Sequence, residues 1–502
     1  LRIAPLLAAV SLLASLSAAP AFAADKPAAE KADEKKADDA GQFPPLPADK
    51  TIRQSARIGG RLLAYEATVG TLSVRDEKGK EIGQVVYTAY TVPGADYRRP
   101  VTFAFNGGPG AASVYLNLGA VGPKRVQFGA QGDAPSDLPV AVDNPNSWLD
   151  FTDLVFIDPI GTGFSRSLVD EAETKKAFYA NDPDVKYLSK VVYDWLVKAG
   201  RLRSPKYIMG ESYGGYRAPR IAYELQSQIG VGVNGLIMVS PYLDPASGDD
   251  ATALSPLPWV VNLPSMAAAE LERQGRLTPQ AMAEIEAYAR GEFATDLLRG
   301  RTDQAAVARI VARVSQLTGL DPALVQKLGG RVDIGTYLRE VRRSTGTIGS
   351  VYDSNVTGFD PFPWAAERKS NDPILDALIA PTTSAMVDFV TREVGWKTDA
   401  RFNALSYAVN AAWDRGKPED TPVQDLRKAI AVDPRMAVMI VHGWDDLSCP
   451  YFASRLIVDQ MPAFGTAERI KLSVYPGGHM FYSRNDSGAQ FKADAQALYR
   501  TR

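Results

Sequence analysis

The sequence predicts an α/β protein: a mostly parallel central sheet flanked by helices, with a helical cap inserted over one edge. Three observations carry that prediction. Short apolar runs without polar alternation recur between helical patterns, as expected of strands buried on both faces. A serine stands between glycines directly after one of these runs. Strand signals then stop across a long middle stretch while helical ones continue.

In chain order, two alternating runs, Leu62 to Arg75 and Ile82 to Val92, read as antiparallel strands that open the sheet. Val101 to Phe105, Leu154 to Ile157, Tyr207 to Met209, Leu236 to Val239, Val438 to Val441 and Leu472 to Tyr475 follow as short apolar strands. Val185 to Val197 and Ala218 to Ile229 have the periodicity of helices that cover them. Between residues 249 and 423 helical patterns dominate, for example Pro279 to Ala289 and Ala305 to Leu317. A cap of this kind shapes a pocket and excludes water. Its aromatics, Tyr352, Phe359, Phe362, Trp364 and Tyr407, are expected to pack within the cap or to line a side-chain pocket.

The first residues read as a targeting segment. Arg2 precedes the apolar stretch Ile3 to Leu16, and Ala21-Phe22-Ala23 supplies small residues before a cleavage point. A retained membrane anchor is the alternative; the Ala, Leu and Ser composition and Pro20 favour cleavage, so no stable membrane insertion is expected afterwards. Ala24 to Lys50 is rich in Ala, Lys, Asp, Glu and Pro with hardly any large apolar side chains, the composition of a disordered linker. The expected organisation is therefore a signal peptide over 1–23, a linker over 24–50, the first part of the core over 51–248, the cap over 249–423 and the second part of the core over 424–502. A leader followed by a chain with one cysteine, Cys449, and hence no internal disulfide, points to a secreted or periplasmic bacterial protein.

Composition removes several function classes. Of 502 residues 45% are hydrophobic, enough for one large core, and the net charge of −2 comes without a basic stripe, so no nucleic-acid partner is expected. Two histidines and one cysteine make a zinc site improbable, and no cofactor or metal is expected. Nothing in the sequence marks an oligomeric state.

The chemistry starts at Gly210-Glu211-Ser212-Tyr213-Gly214-Gly215, which follows an apolar strand and precedes a helical segment: the pattern of a nucleophile elbow. A serine hydroxyl needs a histidine base and a carboxylate to orient it. His479 lies in the turn Tyr475-Pro476-Gly477-Gly478-His479 after a strand, where a loop tip can reach an elbow; His442 ends an apolar strand and reads as structural. In an α/β-hydrolase the acid falls between serine and histidine, which selects Gly443-Trp444-Asp445-Asp446. Spacing favours Asp446, three residues after the glycine, with Asp445 left to cap or solvate the loop. Asn106-Gly107-Gly108-Pro109-Gly110, after another strand, offers unobstructed amides for an oxyanion; it lacks the lysine of a phosphate loop.

These motifs, together with Asn144-Pro145-Asn146-Ser147-Trp148 and Phe156-Ile157-Asp158-Pro159-Ile160-Gly161-Thr162-Gly163-Phe164-Ser165, occur in an order that resembles the serine carboxypeptidase family. The resemblance runs from about Phe103 to Met480. It implies an α/β-hydrolase fold, a triad of Ser212, Asp446 and His479, and an oxyanion hole from the Gly108 and Tyr213 amides. It also implies that Asn106, Gly107 and Glu211 bind the free carboxylate of a peptide substrate. A glutamate in that place must be protonated to donate to a carboxylate; the alternative is a glutamate that only supports the elbow. The chain departs from the family at Ala104, where tryptophan is common, at Ala111-Ala112, which replace Cys-Ser, and at Ala120-Val121-Gly122-Pro123, where Glu-Leu-Gly-Pro is frequent. The last change removes the usual partner of the elbow glutamate. An esterase or acyltransferase on the same scaffold, and a non-catalytic peptide-binding protein, are the competing readings.

Overall fold

The computed structural model describes residues 44–127, 139–243, 255–366, 369, 372–417, 421–465 and 469–500. The expected leader over 1–23 and the linker as far as residue 43 lie outside the described residues. Residues 44–49 correct the expectation for the linker's end: Asp49 accepts from the Tyr87 hydroxyl at 2.7 Å and the Thr71 N–H at 3.1 Å, and Leu46 packs on the core. Lys50 already opens a strand.

The central sheet is built from β1 (Lys50–Ile58), β2 (Arg61–Arg75), β3 (Glu81–Thr91), β4 (Val101–Phe105), β5 (Asp153–Ile157), β6 (Lys206–Glu211), β7 (Gly235–Val239), β8 (Ala437–Gly443) and β9 (Ile470–Tyr475). Their spatial order is β1-β2-β3-β5-β4-β6-β7-β8-β9, and the short pair Arg166–Ser167 adds to β3. β1, β2 and β3 pair antiparallel, and β3 meets β5 antiparallel; every pairing from β5 to β9 is parallel.

Burial explains why the parallel strands read as unbroken apolar runs. Val101, Phe103 and Phe105 of β4, Val155 and Ile157 of β5, and Leu236 and Met238 of β7 enter one core. Ala104, Leu154, Phe156, Ile237 and Val239 from the same strands enter the core on the opposite face. Both faces are dry, so both residue parities must be apolar. β1 differs: its outward Thr51, Arg53, Ser55 and Arg57 are exposed while Ala56 and Ile58 are buried, as an edge strand requires.

The helices that matter for the site are α1 (Asn181–Lys198), α2 (Tyr213–Glu224), α3 (Leu257–Arg273), α4 (Pro279–Tyr288), α5 (Gln304–Thr318), α6 (Pro422–Val432) and α7 (Asn485–Arg500). α1, α2 and α6 contribute Leu188, Ile221 and Leu426 to the Phe103 side of the sheet. α3, α4 and α5 form a third core of their own around Met266, Ile285 and Ile310, seated on Leu447, Tyr451 and Phe452 beyond β8. Farther along, Phe389, Trp396 and Phe402 pack onto the Phe156 face of the sheet. Of the five aromatics considered for the cap, Phe359, Phe362, Trp364 and Tyr407 are exposed and pack in no core; Tyr352 alone among them faces the cavity described below.

One buried ion pair ties α1, α2 and the turn after β4 together. Arg217 on α2 donates through Nε to Asp184 Oδ2 at 2.6 Å and through Nη1 to the Asn106 carbonyl at 2.9 Å. Both side chains are essentially inaccessible. Removing one partner of such a pair strands the other charge without solvent. Asp184→Ala is therefore expected to lower the unfolding free energy by about 3–5 kcal/mol in denaturant titration.

Candidate active site

The chain runs from β4 to β5 on one side and then to β6 on the other, so sheet order reverses between β4 and β6. A crevice opens outside the carboxyl ends of such strands. Four turns leave this edge: Asn106–Gly110 after β4, Ser212 after β6, Asp445–Asp446 after β8, and Gly477–His479 after β9.

Ser212 holds φ 60° and ψ −122°, a region that L residues rarely occupy, between β6 and α2. The strained turn requires space on either side: a Cβ on Gly210 would run into the Gly214 carbonyl. The β4 turn presses equally close, since a Cβ on Gly107 would sit 2.8 Å from Ser212 Cβ and 2.7 Å from the Glu211 carbonyl oxygen. That approach sets the Gly107-Gly108 backbone beside the start of α2. The Tyr213 N–H, at the first position of that helix, is one of those no intrahelical carbonyl accepts.

His479 is buried, and its Nδ1 bonds Asp446 Oδ2 at 2.8 Å. Asp446 is itself fixed, because Oδ1 accepts from the Ser448 and Cys449 N–H groups at 2.8 and 2.9 Å. A proton held on Nδ1 by the carboxylate leaves Nε2 as the basic nitrogen. The His479 carbonyl accepts from Ser240 Oγ at 2.8 Å and its N–H donates to the Tyr352 carbonyl at 2.5 Å, so the ring's backbone is pinned from two sides. Burial pulls the imidazole pKa down, but the Asp446 charge, its hydrogen bond and the Glu211 charge outweigh this and leave it above the ordinary value. Ser212, Asn106, Gly107, Gly108, Glu211, Tyr213 and His479 line one cavity of about 290 Å³; Asp446 stands behind the imidazole.

The two residues set aside from the triad are placed differently. His442 lies inside β8, bonds Ser454 Oγ through Nε2 at 2.9 Å, and is driven down to about 3 by burial. Asp445 departs from the solvated role expected of it. It is fully buried, 3.7 Å from Arg484 and 3.5 Å from Asn355, and burial together with Glu272 pushes its carboxyl well up. Glu272 comes from α3, so this cluster fastens the third core to the acid-bearing turn.

Glu211 has its carboxylate held from two sides. Asn106 Nδ2 donates to Oε2 at 2.8 Å, and the Tyr482 hydroxyl lies 2.9 Å from each oxygen. The Asn106 amide is oriented by the Leu116 N–H, which donates to its Oδ1 at 2.9 Å. Burial raises the Glu211 pKa to about 7 against the lowering effects of His479, Tyr482 and Asn106. Tyr482 escaped the sequence reading. It sits three residues beyond His479 and carries no spacing that marks it, although the missing glutamate at Ala120 signalled that Glu211 needed another partner.

Comparison with known proteins bears on these features. Residues 62–281, a little under half of the chain, match the family model described as serine carboxypeptidase. Pheromone-processing carboxypeptidase KEX1 of Yarrowia lipolytica is 34% identical over 152 residues, 30% of this chain and 23% of that protein. KEX1 of Ogataea parapolymorpha is 30% identical over 193 residues, 38% of this chain and 28% of the relative. The chain thus spans about a quarter of the length of the curated relatives it matches first. Among solved structures, the prohormone-processing carboxypeptidase KEX1(delta)p of Saccharomyces cerevisiae superposes with a TM-score of 0.55 at 16% identity, covering 87% of this chain and 92% of the other. That likeness is one of fold, and the fold is that of the α/β-hydrolases.

Because Tyr482 donates to the ionised form of Glu211, its removal favours the proton. In Tyr482→Phe the Glu211 carboxyl is expected to titrate above 7, read from the carbon-13 resonance of labelled glutamate that is absent in Glu211→Gln.

Proposed function

We propose that this chain is a serine carboxypeptidase that releases C-terminal residues from peptides through an acyl-enzyme on Ser212. The observation that carries the reading is the joint placement, in one cavity, of the strained serine, the Asp446-bonded imidazole and a buried glutamate whose pKa lies near neutrality. Ser212 Oγ attacks the carbonyl of the last peptide bond while His479 Nε2 takes the proton. The negative oxygen turns toward the amides of Gly108 and Tyr213, whose fixed dipoles need no reorganisation as charge develops. His479, held by Asp446, hands the proton to the departing amine, and water then cleaves the ester by the same route in reverse. Asn106, Gly107 and Glu211 receive the substrate's terminal carboxylate.

The pH behaviour follows from the directions of the two shifts. Below about 7 Glu211 carries a proton and donates to the carboxylate; above it, two negative groups face one another. KM for a free-acid peptide is therefore expected to climb as pH rises through 7. The imidazole, raised above its ordinary value, must lose its proton to act as base, so kcat falls on acidification.

Within this proposal the segment 249–423 contributes the cap, supported by the separate core of α3, α4 and α5, although its Phe389, Trp396 and Phe402 belong to the core of the sheet. The partner is a peptide with a free C-terminus. The location is secreted or periplasmic in a bacterium, supported by the Arg2 and Ala21-Phe22-Ala23 leader pattern and the single cysteine. An esterase or acyltransferase would use the same triad without interest in a free carboxylate, which leaves the Glu211 arrangement without a purpose. A silent peptide-binding protein would have no use for the Asp446–His479 bond.

Mass spectrometry of peptide digests over time is expected to show stepwise loss from the C-terminal end, with amidated peptides spared. Internal cleavage, or equal turnover of amides, would contradict the proposal. Asp446→Asn is expected to reduce kcat about 10⁴-fold while leaving the fold intact by circular dichroism.

A further inference from the structure

We infer that Tyr115 is a substrate-binding residue whose hydroxyl donates to the terminal carboxylate of the peptide. This rests on the carboxypeptidase reading above and names a specificity group within it.

Several of the cavity's donors are already engaged within the protein. A carboxylate entering beside Glu211 needs hydrogen bonds from groups that are not already committed. One of the two N–H groups on Asn106 Nδ2 and the Tyr482 hydroxyl serve Glu211. The Tyr213 hydroxyl is held by Asn181 Oδ1 at 2.5 Å. Arg415, the guanidinium in the lining, is exposed and donates to Asn410 Oδ1 at 3.2 Å.

Tyr115 stands apart. It is 8% exposed, it lines the cavity, and its hydroxyl is the one buried side-chain atom among the described lining residues that has no hydrogen-bond partner. It lies within electrostatic reach of both Glu211 and Tyr482. It also borders a second compartment of about 850 Å³ that shares Tyr352 and Met480 with the first, where the side chain of a terminal residue has room. A buried hydroxyl left unmade costs stability, and native structures seldom keep one without a use. A neutral phenol also donates whether or not Glu211 is protonated, so the carboxylate keeps one partner on this side at every pH at which the enzyme works.

The local chain explains its position. Tyr115 precedes the turn Leu116–Val121, and the Leu116 N–H orients Asn106. The segment that sets the asparagine amide therefore also carries the phenol into the cavity lining.

The test is the preference for a free-acid peptide over its amide, measured as the ratio of KM values in wild type and Tyr115→Phe, with thermal unfolding alongside. Loss of a hydrogen bond to a charged group is expected to shrink that preference about 10- to 100-fold. The melting temperature should not fall, because the hydroxyl removed has no protein partner. A preference retained in Tyr115→Phe overturns this inference alone, as does a lower melting temperature. A wild-type enzyme indifferent to the free acid overturns it together with the carboxypeptidase reading.

Discussion

The site depends on one steric constraint: the turn after β4 and the elbow after β6 touch at backbone level. Gly107 has no room for a side chain against Glu211, Ser212 and Tyr213, and Gly210 has none against Gly214. The buried Arg217 holds this contact from beneath, since it reaches the Asn106 carbonyl from α2 while paired to Asp184 on α1. Two turns from different parts of the chain thereby become one surface. The parallel strands β4 and β6 supply the alignment, because Phe105 pairs with Gly210 at their ends.

The remaining parts of the site are added to that surface in layers. β8 and β9 carry Asp446 and His479 to the same edge, and the hydrogen bond between them is backed by the amides of Ser448 and Cys449. Behind Asp446, Asp445, Arg484, Asp353 and Glu272 link the turn to α3, so the helical core sits on this edge of the sheet through buried charge as well as apolar contact. Such clusters depend on every partner being present. In front of the serine, the Tyr482 hydroxyl bonds Glu211.

What the sequence revealed follows the strength of its local signals. The parallel strands were legible because burial on two faces demands an uninterrupted apolar run, as in Val101 to Phe105, and the elbow was legible because its backbone excludes side chains at fixed offsets. β1 carries no strand signal in the sequence beyond Lys50, since an edge strand with Arg53, Ser55 and Arg57 facing water looks polar. Asp445 was assigned to solvent because nothing nearby in sequence announces Arg484 or Glu272. Tyr482 and Tyr115 were passed over for a related reason: a phenol has no characteristic spacing, and its role appears only when the fold brings it to Glu211. Exposed Trp364 and Phe359 show the converse, where large apolar side chains suggest burial and the fold leaves them outside.

The central claim is that Ser212, His479 and the two amides act on one reacting centre. A crystal structure of the protein after reaction with a fluorophosphonate tests this directly. The account predicts phosphorus bonded to Ser212 Oγ, a phosphoryl oxygen within hydrogen-bonding distance of both the Gly108 and Tyr213 N–H groups, and His479 Nε2 facing the esterified oxygen. Phosphorus on another residue, or a phosphoryl oxygen turned away from those amides, would contradict it.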